Sequence, residues 1–267
     1  MNETNTVVRA KADAFRSRPS RRDFLRRAAA VTAGISCGQW ASAARAAAPK
    51  AAKPAGGGSR IVRTGQFVFP RLQFSVYDET VDIWNVGPIG DVNLRHKLQE
   101  LTNMNVSQEP RVVRLSDFDE MCRNPFVFMT SEGYFRLTEV EQNNFREFLE
   151  RGGFILADDC VFNGKEDRFF RCYRDFINKL YPESPMRKVP YDHEIFHCYY
   201  DFPDGAPHCQ GVPNGMWGLF EPGTGRIMTT ITPGDIHCGW MCRYFGKEKD
   251  EASIRMGINI IIYFLTH

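Results

Sequence analysis

Two carboxylates stand side by side at Asp158 and Asp159, where the short apolar run Phe154-Ile155-Leu156-Ala157 ends. A continuously apolar run of that length reads as a strand buried on both faces. In open α/β sheets, ligands gather outside the carboxyl ends of the strands. The pair is therefore a candidate site, and a helix cap followed by a turn is the other arrangement Asp favours. A second concentration of chemistry lies between Val189 and Cys242, with His193, His197, His208, Asp235, His237, Cys238 and Cys242. His and Cys are ordinary ligands of zinc and copper. A divalent metal held by His193, His197 and His237 is one expectation, and so is a metal gripped by Cys238 and Cys242 across one helical turn. Packing and disulfide pairing are the alternatives for the same side chains. His193-Glu194-Ile195-Phe196-His197 matches H-E-x-x-H, which on a helix sets two imidazoles on one face for zinc with the Glu as general base. Here Pro190 precedes it and Tyr199, Tyr200, Phe202 and Pro203 follow, a context of strand or loop. Cys160, beside Asp159, offers a nucleophile with His193 or His237 as its base.

These groups need elements to position them. Thr138 and Glu141 have the spacing of a capping box. Val140, Phe145, Phe148 and Leu149 then share one helical face, and Gly152-Gly153 supplies a left-handed stop before the Phe154 strand. Upstream, Gln66–Phe74 reads as a first strand, which Pro70 confines to an edge or a bulge. Asp91 reads as the cap of a helix running to Leu101. Arg111–Leu115 and Pro125–Met129 read as further strands, with a short helical turn starting at Ser116. Downstream come a helix over Asp167–Leu180, a long irregular segment 189–242 containing one clear strand at Arg226–Ile231, and a closing helix over Ala252–Leu265. Strands alternating with helices imply right-handed parallel crossovers.

The first 48 residues read as a removable export signal. Ser20-Arg21-Arg22-Asp23-Phe24-Leu25-Arg26 fits the twin-arginine pattern, an Ala-rich run follows, and small residues at 41–46 offer cleavage points. Residues 49–65, with Gly56-Gly57-Gly58, read as a flexible linker, and 66–267 as one α/β domain. The whole chain has 34 Lys and Arg against 32 Asp and Glu. Nine and three of these lie in residues 1–48, which leaves 25 against 29 and a mildly acidic remainder. No basic face argues for nucleic acid, and the apolar run 258–265 is too short to span a bilayer. Seven cysteines follow the signal, an odd number, so at least one is unpaired or ligated in an oxidising compartment.

Several blocks resemble the bacterial domain-of-unknown-function family 4159. They are Phe69-Pro-Arg-Leu-Gln-Phe, Trp84 before Gly87-Pro88, Asp91-Val-Asn-Leu, Arg151-Gly-Gly-Phe-Ile-Leu-Ala-Asp-Asp, Pro190-Tyr-Asp-His, Phe196-His-Cys-Tyr-Tyr-Asp-Phe, Gly225-Arg226, Gly234-Asp235 before Trp240, and Gly257-Ile-Asn. The resemblance implies a flavodoxin-like, class I glutamine amidotransferase-like fold, a three-layer sandwich on a mostly parallel sheet. It implies no activity. An amidotransferase nucleophile would be a Cys in a Gly-bracketed elbow after a strand, and Cys160, between Asp159 and Val161, lacks that elbow.

Together these readings give an exported periplasmic domain that binds a small ligand or a cell-envelope protein without catalysis. Its expected ligand-binding residues are Asp158, Asp159, His193, Asp235 and Trp240. The segment 189–242 is expected to fold over the carboxyl edge and bring His193 and Asp235 to the paired aspartates. A metal-dependent hydrolase using the same His and Asp groups is the competing class, and a purely structural envelope module the third.

Overall fold

The computed structural model describes residues 65–267. The export signal and, apart from Gly65, the linker lie outside the described residues. Seven strands form one sheet: β1 Pro70–Gln73, β2 Arg111–Arg114, β3 Phe126–Ser131, β4 Phe154–Asp159, β5 Arg187–Lys188, β6 Trp217–Phe220 and β7 Ile227–Thr232, in the order β2-β1-β3-β4-β7-β6-β5. The pairings from β2 through to β7 are parallel, and β6 and β5 extend the sheet antiparallel. Among the described residues six helices accompany it: α1 Pro88–Leu101, α2 Phe118–Arg123, α3 Glu139–Glu150, α4 Arg168–Leu180, α5 Ile236–Trp240 and α6 Lys247–Thr266.

Successive residues of a strand face opposite sides, and the core divides accordingly. Phe126, Phe128, Phe154 and Leu156 pack with α1, α5 and α6 on one face. Val127, Met129, Ile155 and Ala157 pack with α2, α3 and α4 on the other. β3 and β4 are buried at every position, as a strand covered on both faces requires.

The capping box forms: Glu141 N donates to Thr138 Oγ1, and Thr138 N donates to Glu141 Oε2 at 2.8 Å. Gly152 at φ 93° stops the helix and sends the chain into β4. Val140, assigned to the inner face, is instead 56 % exposed; the buried stripe is Glu141, Phe145, Phe148 and Leu149. Strand β1 is not an edge. Pro70 is its first residue, where a missing N–H interrupts little of the ladder. Nor does Asp91 cap α1. Gly87 is the cap and Pro88 opens the helix, which leaves the Asp91 carboxylate in the first turn for another partner. The Arg226 strand belongs to the sheet rather than to a loop over its end, with β7 between β4 and β6. Among the described residues no helix is long and apolar enough to cross a membrane.

Candidate functional site

The parallel strands end together along one edge, and two different environments share it. The first is closed. Arg71 on β1 donates from Nε and Nη2 to both oxygens of Asp91 on α1, at 2.8 and 2.6 Å. Its Nη1 reaches the carbonyls of Trp84 and Val86, and its Nη2 lies 3.1 Å from Nε2 of His237 on α5. Four of the five guanidinium protons thereby have acceptors whatever the state of the ring, and the fifth has one when His237 Nε2 is unprotonated. His237 Nε2 is also 3.5 Å from Asp91 Oδ1. The ring's tautomer decides whether that nitrogen accepts from Arg71 or donates to Asp91. Burial would raise the Asp91 carboxyl, but the His237 ring and the Arg71 guanidinium outweigh it and hold the group below its ordinary value.

Glycines let this cluster close. A Cβ on Gly90 would lie 3.0 Å from the His237 ring, and one on Gly87 would strike Met241 and the same ring. The start of α1 therefore presses directly on the imidazole, whose other neighbours are the rings of Phe128 and Trp240 at 5.2 and 5.5 Å.

Asp158 accepts from the His237 backbone N–H at 3.3 and 3.4 Å. Burial, then the charge of Asp235, pushes its carboxyl well above the ordinary range. Asp159 points to the other face. It accepts from Phe170 N at 2.9 Å, and its second oxygen has no partner among the described residues. It caps α4 across space, where Asp167, the residue at the N-cap position, makes no side-chain cap bond. Burial, outweighing that hydrogen bond, moves the Asp159 carboxyl up to about 8.

β7 runs through Pro233-Gly234 into α5 by way of Asp235 at φ 56°, a left-handed backbone that Asp tolerates better than most residues. This is a strained strand-to-helix turn of the kind that presents nucleophiles in α/β hydrolases. The turn carries Asp235 instead of Cys, one strand away from Cys160. Its oxygens are occupied: Oδ1 accepts from Cys238 N at 3.1 Å, and Oδ2 accepts from Val161 N at 3.2 Å and from the Gln210 side chain. Asp235 thus ties the loops after β4 and before β6 to α5.

The structure brings Asp158, Asp235, His237, Cys160 and Cys238 together and leaves His193 apart. His193 caps a 3-10 turn, Glu194–Phe196, by accepting from Ile195 N. It packs on Tyr263, whose hydroxyl accepts from Ile227 N at the amino end of β7. That is the opposite edge of the parallel sheet. His197 is exposed and bonds to Asp201 and the Tyr191 carbonyl. The trio His193, His197 and His237 therefore does not converge, because H-E-x-x-H forms a single tight turn and not a helix. Trp240 is fully buried and donates from Nε1 to the Ser253 carbonyl at 2.9 Å. Cys242 lies past the end of α5 and is exposed, so it does not share a helical turn with Cys238. The seven described cysteines are all free. Cys160 and His237 are neighbours, but the thiol is not activated. The hydrogen bond with Cys238 lowers it, and burial with the charges of Asp235, Glu132 and Asp158 more than reverses this.

The second environment is open. The chain after β1 pairs with the chain after β3: Tyr77 N donates to Tyr134 O, and Arg136 N to Ser75 O, each at 3.1 Å. This ribbon covers the crevice between β1 and β3, where the strand order reverses. Beside it, outside the carboxyl ends of β1 and β2, lies a cavity of about 440 Å³ whose walls include Gln73, Ser75, Asp82, Trp84, Arg114 and Glu141. Glu141 accepts from Ser75 N at 2.9 Å, and Asp82 from Tyr134 N at 2.9 Å. With the further bonds from Asp78 N to Asp82 and from Thr138 N to Glu141, both walls are fixed and both oxygens of each buried carboxylate are engaged. Gly133 is obligatory here, since a Cβ would stand 1.6 Å from Asp82 Oδ1. The Arg114 guanidinium has no partner among the described residues. Arg71 and this cavity were not anticipated from sequence. The signal for Arg71 was an Arg inside an otherwise apolar strand, Phe69-Pro70-Arg71-Leu72.

Sheet, helices and edge define a mixed α/β protein on a mostly parallel sheet, with a sealed polar hub over β3, β4 and β7. Within that class the chain belongs to the family described as Domain of unknown function (DUF4159), whose model matches residues 69–265. No curated protein matches it.

Proposed function

We propose that this chain is exported by the twin-arginine pathway to the periplasm and works there as a non-catalytic binding module for a small, hydroxyl-rich ligand. The observation that carries the reading is the cavity over β1 and β2. It lies at the carboxyl edge, where α/β sheets of this kind take ligands, and its volume is within the range of ligand sites. Its walls offer the exposed Glu79 carboxylate to accept from hydroxyls, the Gln73 amide and Arg114 guanidinium to donate, and the face of Trp84. The order β2-β1-β3-β4-β7 of the parallel strands supports the finer fold assignment, flavodoxin-like and class I amidotransferase-like. A hydrolase would need a path to Asp235 and His237, both 0 % exposed.

Two measurements test this. Arg21→Lys with Arg22→Lys should hold the precursor in the cytoplasm, and normal processing of the double variant would refute twin-arginine export. A panel of monosaccharides, and the small-molecule filtrate of the cell envelope, should shift the Trp84 fluorescence of the purified protein. Trp84→Phe should remove that shift, and Ser116→Trp, which fills the cavity, should abolish binding. A shift that survives Ser116→Trp would place the ligand elsewhere.

A further inference from the structure

We propose that Cys160, Cys238 and His237 form a zinc site beneath the carboxyl edge, with the fourth position left for a water molecule. The two sulfurs are 3.6 Å apart and buried. A disulfide needs about 2.05 Å, whereas two thiolates at about 2.3 Å from a tetrahedral zinc stand about 3.8 Å apart. The observed spacing is too long for a disulfide and close to that of co-ligands, and the same two sulfurs share a hydrogen bond when no ion is bound. A ring nitrogen of His237 completes a set of donor atoms all within 4.8 Å of one another.

A second, independent observation points to the ion. His237 is 0 % exposed and its Nδ1 has no hydrogen-bond partner among the described residues. A buried imidazole nitrogen left unsatisfied in this way is uncommon, and a metal would satisfy it. The opposite nitrogen is already supported. With its proton on Nε2, His237 donates to Asp91 Oδ1, and the Nδ1 lone pair is free to ligate. Arg71 then keeps Asp91 and the two carbonyls and gives up its contact to the ring. A carboxylate behind the ring is the usual arrangement for a metal-bound histidine. Glu132 Oε1, on the loop after β3, lies 3.9 Å from Cys160 Sγ and borders the site without belonging to its three-donor set. Two thiolates balance the charge of a divalent ion, so the site buries no large net charge. Its donors arise from the loop after β4 and from the first turn of α5. The ion would add a clamp between two carboxyl-edge segments that already meet through Asp235 and through the His237 N–Asp158 bond. This site does not depend on the ligand cavity over β1 and β2.

The test uses the full chain, purified without chelators. Elemental analysis should find about one zinc ion per chain, and cobalt(II) added after zinc removal should give thiolate-to-metal charge transfer with the intense visible bands of tetrahedral cobalt. Cys160→Ser, a near-isosteric change that spares the Arg71 cluster, should abolish the charge transfer. His237→Gln should weaken it, and Cys242→Ser, at the exposed cysteine, should leave it intact. Three results would overturn the site: a peptide map joining Cys160 to Cys238, a folded protein that neither holds zinc nor takes up cobalt, or a cobalt spectrum unchanged in folded Cys160→Ser.

Discussion

Asp91→Ala should cost the fold about 3–5 kcal/mol, because it leaves a buried guanidinium without its counter-charge. For a domain of this size that corresponds to a fall of about 6–20 °C in Tm. Arg71 loses the acceptor for both Nε and Nη2, and at 3 % exposure it cannot turn to water. The sign of the pair's own contribution is a separate matter. Buried ion pairs often do no better than apolar residues of the same volume, so Arg71→Met with Asp91→Leu should recover most of the loss. Chemical denaturation of the three proteins, matched for metal content, decides it. A loss below about 1 kcal/mol for Asp91→Ala would mean that the cluster opens to solvent, as exposed pairs do.

Asp159→Asn should act in the opposite direction, and the size of its effect should depend on pH. Burial carries the carboxyl from its ordinary 3.8 up to about 8 in the folded protein. Between those values the folded state keeps a proton that the unfolded chain has released. This group's contribution is therefore complete below about pH 4 and is lost as pH rises to about 8, at up to about 1.4 kcal/mol per pH unit. The full cost of ionising it is on the order of 5 kcal/mol. Asparagine cannot ionise and can still accept from Phe170 N. Its NH2 would meet the place where Asp159 Oδ1 has no partner, a penalty of about 1–3 kcal/mol. The variant should then be more stable than the parent by about 2–4 kcal/mol near pH 8 and no more stable near pH 4. The charge of Asp159 is also one of the smaller causes that push Asp158 up, so the difference reports Asp159 together with that coupling. A difference that stays constant between about pH 5 and about pH 8 would show that Asp159 is already ionised in the fold.

Local patterns were legible in the sequence wherever the determinants lie close together along the chain. The capping box at Thr138 and Glu141, the stop at Gly152 and the buried strand that follows all form as read. Placement across the sheet was not legible. The Arg226–Ile231 strand was found, yet nothing within it says that it lies beside β4, since that pairing is a contact between distant residues. The spacing of His193 and His197 suggests a shared face only if the segment is helical. Its 3-10 turn caps itself and packs at the amino edge, so proximity in sequence misled where proximity in space was needed. Asp91 was read as a cap from its residue type, whereas Gly87-Pro88 already starts the helix. Asp158 and Asp159 were rightly set at a strand end, but their alternation sends them to opposite faces, one to α5 and one to α4.

The carboxyl edge therefore divides its labour. Over β3, β4 and β7 buried polar groups bond mainly to one another and fix the loops, and over β1 and β2 fixed walls surround an open volume. Amide hydrogen exchange, recorded with and without the envelope filtrate or the saccharide that shifts Trp84, tests that division most directly. Ligand should slow exchange at 73–84 and 114–116 and leave 158–161 and 235–240 unchanged. Protection at 158–161 and 235–240, with none at 73–84, would contradict the account and return the binding site to the paired aspartates.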